Sequence, residues 1–397
     1  MNTRMNNWRE LYAQNRAAIA AAGVPLTAMT LTAPPQPRVS SLDEAGQHAP
    51  AVSGGRGLLA NPRQHRGAAR DRPPFGVPAS DRALVHIPRG LDPAVPAPMV
   101  VMLHGCTQDP STFAAATAMN DSADRHGFVV MYPGQPRGRN PQGCWNWFAP
   151  EHQQRGAGEP ELIAGSARAL LVHESRQMVD PRRIFVAGLS SGGAMALILA
   201  VCYPDLFTAV AVHSGLPYRA ADNLAAAYAS MTGATHARAP DGHAIHSAMG
   251  QHARPIPSLV IHGTADRTVA PQNSRHILAQ LMHANRLATP GTCAHDPAMP
   301  TASQRARVAG GLSYTHSQWI DDHGTLMHES IDIDDLGHAW SGGVAGGSYT
   351  DPRGPSASEI IWAFFAEASR LEKGPTDAAG GIGPARSGSR PQIVEEV

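Results

Sequence analysis

Short apolar runs alternate with amphipathic stretches through the middle of the chain. The apolar runs have the length of buried strands and end at Gly, Pro or polar turn residues. They predict strands at 83–87, 99–103, 128–132, 184–187, 209–213, 259–262 and 328–333. Helical periodicity between them predicts helices that include 161–178, 194–202 and 272–284. Strands that alternate with helices indicate an α/β fold, with a mostly parallel sheet flanked by helices on both faces.

The two ends of the chain differ from this middle part. Residues 31–80 are rich in Pro, Gly, Arg and Ala and predict a flexible segment, and residues 373–397 predict a disordered tail. The α/β domain is therefore expected over residues 81–372. Residues 1–30 predict an amphipathic helix, which either packs on the domain or docks on an apolar surface. The His- and Ala-rich stretch 218–254 predicts either a small cap or a surface excursion.

Composition limits the classes of protein that the chain can be. A length of 397 residues and a hydrophobic content of 42% suit one large domain with tails. The formal net charge of zero does not favour a nucleic-acid partner. Apolar stretches stay well short of the ~20 residues of a membrane span. Four cysteines, at 106, 144, 202 and 293, lack the paired spacing of a zinc site, so no metal is expected.

A Gly-x-Ser-x-Gly motif at 188–192 stands between a predicted strand and a predicted helix. A serine at such a turn has a strained backbone and a hydroxyl that lies above the sheet edge. Gly188 and Gly192 would allow strand and helix to approach closely. The motif resembles the nucleophile elbow of α/β-hydrolases, which predicts Ser190 as a nucleophile.

An elbow serine needs an acid and a histidine that follow it in that order. Asp266 follows the strand predicted at 259–262, and His338 follows the strand predicted at 328–333. The carboxyl ends of parallel strands meet at one edge of a sheet, so both side chains should approach Ser190. We therefore expect His338 to act as general base and Asp266 to orient it.

Other residues compete for these roles. His104 and His262 each precede a glycine at a strand end, where they could cap the local turn. Asp332, Asp334 and Asp335 are rival acids, although they lie beside the histidine rather than on a preceding strand.

Two backbone N–H groups are predicted to stabilise an oxyanion. One belongs to Ser191, directly after the nucleophile, and the other to Cys106, in the loop after the strand at 99–103. Aromatic residues make up only 5% of the chain, yet Trp145 and Trp147 lie close together and Trp340 follows His338 by two residues. These three tryptophans are therefore candidate substrate-binding residues. The alternative interpretation of the cluster 145–148 is a core or loop anchor.

Five motifs together resemble a known family. They are Leu-His-Gly-Cys-Thr-Gln at 103–108, Gly-Cys-Trp-Asn-Trp-Phe at 143–148, the elbow at 188–193, Gly-His-Ala-Trp-Ser-Gly-Gly at 337–343 and Thr-Asp-Pro-Arg-Gly-Pro at 350–355. Over residues 75–372 the chain resembles the catalytic domain of poly(3-hydroxybutyrate) depolymerases and their esterase relatives. The resemblance implies an α/β-hydrolase that cleaves short-chain hydroxyalkanoate polyesters without a cofactor. It also implies Ser190, Asp266 and His338 as the triad and Cys106 as an oxyanion residue.

Two alternatives to polyester hydrolysis remain open at this point. Feruloyl and acetylxylan esterases share much of the pattern, which makes a plant-wall ester an alternative substrate. A protein of another class, bound to a polymer granule through its N-terminal helix, is the second alternative.

The cellular setting and the cysteine pairing are further expectations. The resemblance leads us to expect a substrate-binding domain after the catalytic domain of an extracellular depolymerase, whereas a short tail follows Arg370 here. Early residues also lack a secretory pattern, because Glu10, Gly23 and Pro25 interrupt it. We expect a cytoplasmic enzyme on amorphous granules, with secretion as the alternative. Cys106 and Cys144 both lie in motifs near the site, which leaves a disulfide and two free thiols equally open.

Overall fold

A single mixed sheet forms the centre of the molecule. The computed structural model describes residues 58–60, 83–92, 94–173, 176–177, 179–233, 241–290 and 295–371. Ten strands of this part build the sheet: β1 (Leu58–Ala60), β2 (Ala83–His86), β3 (Ala97–Leu103), β4 (Val129–Pro133), β7 (Val179–Leu189), β8 (Ala209–His213), β9 (Ser258–Gly263), β10 (Ala302–Arg307), β11 (Ser313–Ile320) and β12 (Leu326–Ile333). Four short strands form two separate pairs, β5 (Val172–His173) with β6 (Arg176–Gln177) and β13 (Trp340–Ser341) with β14 (Thr350–Asp351).

The sheet is parallel in the middle and antiparallel at both margins. Its strand order is β1-β2-β4-β3-β7-β8-β9-β12-β11-β10. The six strands from β4 to β12 run parallel, whereas β1, β2, β10 and β11 pair antiparallel. Every residue of β3, β4, β8 and β9 is buried, as expected for parallel strands covered on both faces.

Helices cover the two faces of the sheet. In chain order they are α1 (Pro110–Thr117), α2 (Met119–His126), α3 (Gly158–Ala169), α4 (Ser191–Cys202), α5 (Leu224–Thr232), α6 (Gly242–Met249), α7 (Gln272–Ala288) and α8 (Ala357–Leu371). One core cluster contains buried residues of α3, α4, α6 and α7, and the other contains those of α1, α2 and α8. All twelve residues of α4 are buried, so the turn that precedes this helix is fixed from behind by the core.

The predicted fold class is confirmed, since the structure is α/β with a mostly parallel sheet between helical layers. Each of the seven predicted strands overlaps an observed strand. The prediction of one helix over 161–178 is wrong in its second half, because α3 ends at Ala169 and the short strands β5 and β6 follow. The N–H groups of Leu170 and Leu171 donate to carbonyls three residues back, and this tightening ends the helix.

Two segments without a predicted strand or helix contain regular structure. Leu58–Ala60, inside the segment expected to be flexible, pairs antiparallel with β2 and extends the sheet. Its length of three residues suits an edge position. In the stretch 218–254, Ile245 and Met249 of α6 are buried in the cluster that contains α4 and α7, so this helix belongs to the helical layer.

The predicted helix in 1–30 and the predicted tail at 373–397 lie outside the described residues. Within the described ranges, no helix combines the length and the apolar character that a bilayer crossing requires.

Candidate active site

Ser190 occupies a strained turn between β7 and α4. Its backbone angles are φ 59° and ψ −121°, a region that non-glycine residues rarely adopt. The crossing of strand and helix explains the flanking glycines. A Cβ on Gly188 would lie 2.3 Å from the carbonyl oxygen of Gly192, and a Cβ on Gly192 would lie 2.2 Å from that of Leu103. The sequence motif is therefore required by the geometry of the turn.

Asp266 and His338 form a close pair at the carboxyl edge of the sheet. His338 Nδ1 lies 2.7 Å from Asp266 Oδ2, so the ring nitrogen donates to the carboxylate. The other carboxylate oxygen accepts the backbone N–H groups of Thr268 at 2.8 Å and Val269 at 2.9 Å. The Ala265 N–H donates to the Leu336 carbonyl at 3.0 Å, and this bond holds the two loops together.

A second imidazole lies against the same carboxylate. His262 Nε2 is 3.3 Å from Asp266 Oδ2 and 2.9 Å from the carbonyl oxygen of Val269. Burial alone would raise the pKa of Asp266, but the hydrogen bonds from His262 and His338 outweigh burial and hold the pKa well below its ordinary value. The Asp266 side chain therefore stays ionised beside His338.

His213, at the end of β8, ties the serine turn to the histidine loop. Its carbonyl oxygen accepts the Ser190 N–H at 2.9 Å, and its Nε2 accepts the Ser341 N–H at 3.2 Å. Its ring also stacks on Trp340, with the ring centroids 5.1 Å apart. Burial first, and then the charges of His262 and His338, lower the pKa of His213 to about 3. The ring is therefore neutral at ordinary pH and can accept the Ser341 N–H.

Two side-chain atoms at this edge make no hydrogen bond to other described residues. Across the described part of the chain, neither Ser190 Oγ nor His338 Nε2 has a hydrogen-bond partner. A hydrogen bond between a serine hydroxyl and a histidine ring in an active site often forms or tightens only when substrate is bound. Both atoms are thus available to a substrate.

The loop after β3 lies beside the serine turn. A Cβ on Gly105 would be 3.6 Å from Ser190 Cβ, and Cys106 Sγ lies 3.4 Å from Ser191 Oγ. Cys106 is bonded to Cys144 in a disulfide, so its sulfur carries no proton and the Ser191 hydroxyl is the donor. The backbone N–H groups of Cys106 and Ser191 have no acceptor among the described residues.

The loop is fixed by hydrogen bonds on both sides of Cys106. The Gly105 N–H donates to Gln108 Oε1 at 2.9 Å, and the Thr107 N–H donates to the Gln142 carbonyl at 2.7 Å. The indole N–H of Trp145 donates to the His104 carbonyl at 3.0 Å. The Cys106 N–H is thus held by a rigid frame.

Apart from His262, the competing residues lie in other environments. His104 Nδ1 bonds to its neighbour's carbonyl at 2.9 Å, and its Nε2 accepts the Gln135 N–H at 3.2 Å. Asp334 pairs with Arg305, and burial raises the pKa of Asp332. Within the described ranges, none of the three rival carboxylates, Asp332, Asp334 and Asp335, bonds to His338.

The three predicted tryptophans are buried rather than surface-facing. Trp145, Trp147 and Trp340 retain 2%, 5% and 1% of their accessible surface. The Trp340 ring packs edge-on against Phe113 and stacks on His213. This burial favours the core-anchor interpretation and leaves little ring surface for a substrate.

Of the remaining cysteines, Cys202 is a buried free thiol and Cys293 lies outside the described residues. Among the residues that the structure describes, no group of three or more His, Cys, Asp or Glu side chains could hold a metal ion.

The sequence analysis did not identify the contacts that two residues, His213 and His262, make in the site. His213 ends a strand next to β7, so its position at the carboxyl edge was the available signal. The sequence presents His262 as a rival base or a turn cap, and its spacing of four residues from Asp266 is the signal of the contact between them.

A strained serine between strand and helix, with an aspartate–histidine pair from later loops of a mostly parallel sheet, defines an α/β-hydrolase. The acetyl xylan esterase from Aspergillus awamori shares this fold, with a TM-score of 0.57 and 21% identity over 72% of this chain and 94% of that one. The family model described as "Esterase PHB depolymerase" matches residues 84–296, which is more than half of the chain. The chain therefore belongs to the PHB depolymerase family of esterases.

Two curated relatives extend the comparison. Poly(3-hydroxyalkanoate) depolymerase C of Paucimonas lemoignei is 32% identical over 267 residues, which cover 66% of this chain. Feruloyl esterase B of Neurospora crassa is 30% identical over 210 residues, which cover 51% of this chain and 70% of the relative. The match spans 60% of the length of the depolymerase. Ser190 and Asp266 lie inside the region of the family model and His338 lies beyond it.

Proposed function

We propose that this chain is a serine carboxylic-ester hydrolase that cleaves poly(3-hydroxybutyrate) or its oligomers. Ser190 is the nucleophile, His338 the general base and Asp266 the residue that orients it. The observation that supports this assignment most strongly is the 2.7 Å contact between His338 Nδ1 and Asp266 Oδ2, which leaves His338 Nε2 free at the edge that bears Ser190. Membership of an esterase family agrees with it.

In the acylation step, Ser190 Oγ attacks the ester carbonyl carbon and transfers its proton to His338 Nε2. The bond between that carbon and the alkoxy oxygen then breaks, and the departing alcohol takes the proton from His338. Asp266 remains a carboxylate throughout, because its pKa lies well below the ordinary value. It stabilises the imidazolium and keeps the remaining ring proton on Nδ1.

The developing oxyanion is held by the N–H groups of Cys106 and Ser191. Ser191 is the first residue of α4, so the positive end of the helix dipole adds to the stabilisation. The disulfide and the hydrogen bonds around Gly105 and Thr107 fix the Cys106 N–H before substrate arrives. Preorganised donors need no rearrangement as charge develops.

In the deacylation step, His338 removes a proton from water, and the hydroxide attacks the acyl carbon. The bond to Ser190 Oγ breaks, Ser190 regains its proton from His338, and the 3-hydroxy acid is released. These steps use the side chains and N–H groups of this chain together with water.

The polyester substrate is supported by the family and by the likeness to the Paucimonas lemoignei depolymerase. A carbohydrate ester is the second candidate substrate, favoured by the likeness to feruloyl esterase B. The proposed mechanism serves both, since only the acyl group and the alcohol differ.

The disulfide bears on the cellular setting. The sequence predicts a cytoplasmic enzyme associated with granules, whereas disulfides persist mainly in oxidising compartments. The Cys106–Cys144 bond therefore favours the secreted alternative. Granule docking through residues 1–30 remains a separate proposal, tested by deleting them: lost granule binding with intact turnover of a small ester supports it.

One comparison tests the proposed function. Amorphous polyester granules, crystalline polyester film, and feruloylated or acetylated xylan are incubated side by side with the protein, and released 3-hydroxybutyrate, ferulate and acetate are measured. Ser190→Ala serves as the blank. Release from polyester that Ser190→Ala abolishes is the expected result. Release from xylan esters alone would keep the mechanism and replace the substrate, and unchanged release by Ser190→Ala would refute the triad.

A further inference from the structure

Tyr349 is the exposed aromatic side chain of the described structure. The large hydrophobic residues that are exposed there are Val95, Leu224, Met299, Val344 and Tyr349, of which only the last is aromatic. Its exposed fraction is 42%. Burial of an aromatic ring is favourable, and this exposure leaves part of the Tyr349 ring available to a bound molecule.

Tyr349 lies between the two loops that the proposed mechanism uses. Its ring stands edge to face with the His338 ring, with centroids 6.4 Å apart and planes at 80°. Its hydroxyl lies 3.4 Å from Thr107 Oγ1, on the residue that follows Cys106. One side chain thus borders both His338, the proposed general base, and the loop at 104–108 that contains Cys106, here called the oxyanion loop.

The backbone holds this ring in place. The Tyr349 carbonyl accepts the Trp340 N–H at 2.7 Å, and the neighbouring Ser348 carbonyl accepts the Gln108 side-chain amide at 2.9 Å. Tyr349 also has a left-handed backbone, with φ 51°. Strained conformations of this kind cluster at active sites and ligand clamps.

The contact between Tyr349 and His338 determines which part of a substrate the Tyr349 ring faces. His338 must pass its proton to the departing alcohol, so that alcohol lies against the His338 ring during acylation. Tyr349 packs on the same ring and therefore borders the alcohol side of the site. In a 3-hydroxybutyrate polymer, the carbon attached to the departing oxygen bears a methyl branch.

We propose that Tyr349 is a specificity-determining residue, whose ring contacts the methyl branch of the departing alcohol. The proposal rests on the proposed roles of Ser190 and His338. It assigns to an exposed tyrosine the apolar contact that the sequence predicted for the buried tryptophans.

Two esters that differ by one methyl group test it. Methyl 3-acetoxybutyrate and methyl 3-acetoxypropionate form the same acetyl-enzyme, and only the departing alcohol carries or lacks the branch. The quantity measured is the ratio of their kcat/KM values, from acetate release by the full chain. Tyr349→Asn removes the ring and suits the left-handed backbone, and Tyr349→Phe removes only the hydroxyl. Val95→Asn is the matched control, since Val95 is 59% exposed and precedes β3 at the opposite end of the strands.

We expect Tyr349→Asn to lower the ratio, branched over unbranched, by roughly four- to tenfold, as for the loss of one methyl contact. Tyr349→Phe and Val95→Asn should leave it within about twofold of the parent value. An equal loss on both esters would overturn the proposal, because the ring would then only support His338. An unchanged ratio in Tyr349→Asn would also overturn it. Acetate release that persists in Ser190→Ala would instead refute the proposed function.

Discussion

His262 Nε2 lies 3.3 Å from the Asp266 oxygen that His338 also binds. His262 Nδ1 is buried and has no hydrogen-bond partner among the described residues, so a proton there would be left without an acceptor. His262 therefore donates through Nε2, which lies 2.9 Å from the Val269 carbonyl oxygen and 3.3 Å from Asp266 Oδ2. Together with the two backbone N–H groups on the other oxygen, it fixes the orientation of the Asp266 carboxylate.

Replacing His262 should slow the reaction, because the Asp266 carboxylate would be less well oriented. We expect His262→Leu to lower kcat on a nitrophenyl ester by roughly ten- to a hundredfold, the range for a lost hydrogen bond to a charged group, with KM little changed. His262→Gln keeps an N–H donor near the Nε2 position and should recover most of the loss. Equal losses in the two variants would show that His262 only fills space.

Replacing Asp266 tests the identity of the acid. Asp266→Asn should lower kcat by roughly 10⁴, because the imidazole takes the wrong tautomer. Asp334→Asn is the control, since Asp334 pairs with the exposed Arg305 and its loss should change kcat by less than about twofold. A loss below about tenfold in Asp266→Asn would transfer the role to Asp332, Asp334 or Asp335.

The glycines of the serine turn give a prediction about folding. Gly192→Ala places a methyl group 2.2 Å from the Leu103 carbonyl oxygen, so the variant should lose several kcal/mol of stability and all activity. Gly165→Ala meets nothing within 4 Å in the interior of α3 and should add about 0.5–1 kcal/mol. Urea unfolding measures both. A Gly192→Ala protein of parental stability would contradict the crossing seen between β3 and α4.

Buried histidines predict a loss of stability in mild acid. Burial is the main cause that lowers the pKa of His213 and of His328 to about 3, and it lowers the pKa of His104 as well. The unfolded chain therefore binds more protons than the folded one from about pH 6.5 downwards. The free energy of unfolding should be highest above pH 6.5 and fall towards pH 3, by up to about 1.4 kcal/mol per pH unit for each histidine.

Urea unfolding between pH 7 and pH 4.5 checks this, because carboxylates titrate mostly below that window. A free energy of unfolding that stays constant across the window would contradict the buried neutral state of these rings.

The disulfide makes the oxyanion loop sensitive to reductant. We expect reduction, or Cys144→Ser, to lower kcat by roughly ten- to a hundredfold, since a loosened Cys106 N–H stabilises the oxyanion less well. Cys202→Ser is the control, because Cys202 is a buried free thiol. Thiol titration in denaturant should find two more thiols after reduction than before. No increase would exclude the bond.

Buried apolar strands and the serine motif were predictable because their signals are local. Runs such as 99–103 and 209–213 are buried on both faces, and a strand of that kind reads as continuously apolar. The chain order then favoured Ser190, Asp266 and His338, with Asp332, Asp334 and Asp335 left open as rival acids.

Strand β10, at one margin of the sheet, was not predicted, for the opposite reason. Five of the six residues of β10 are exposed, and its sequence Ala-Ser-Gln-Arg-Ala-Arg has no apolar face. Contacts between side chains could not be predicted from the sequence either. His262 stands four residues before Asp266, but only the fold shows that the two side chains meet. Trp145 and Trp147 stand near the site in sequence, yet their rings turn into the core.

The Cys106–Cys144 bond also closes a covalent ring around α1, α2 and β4. The turn at 137–139 is exposed inside that ring and offers two arginines to a trypsin-like protease. A cut there would open the polypeptide but leave both pieces joined through the bridge. The oxyanion loop would thus stay attached to the motif that contains Trp145, and a nicked molecule would come apart only after reduction.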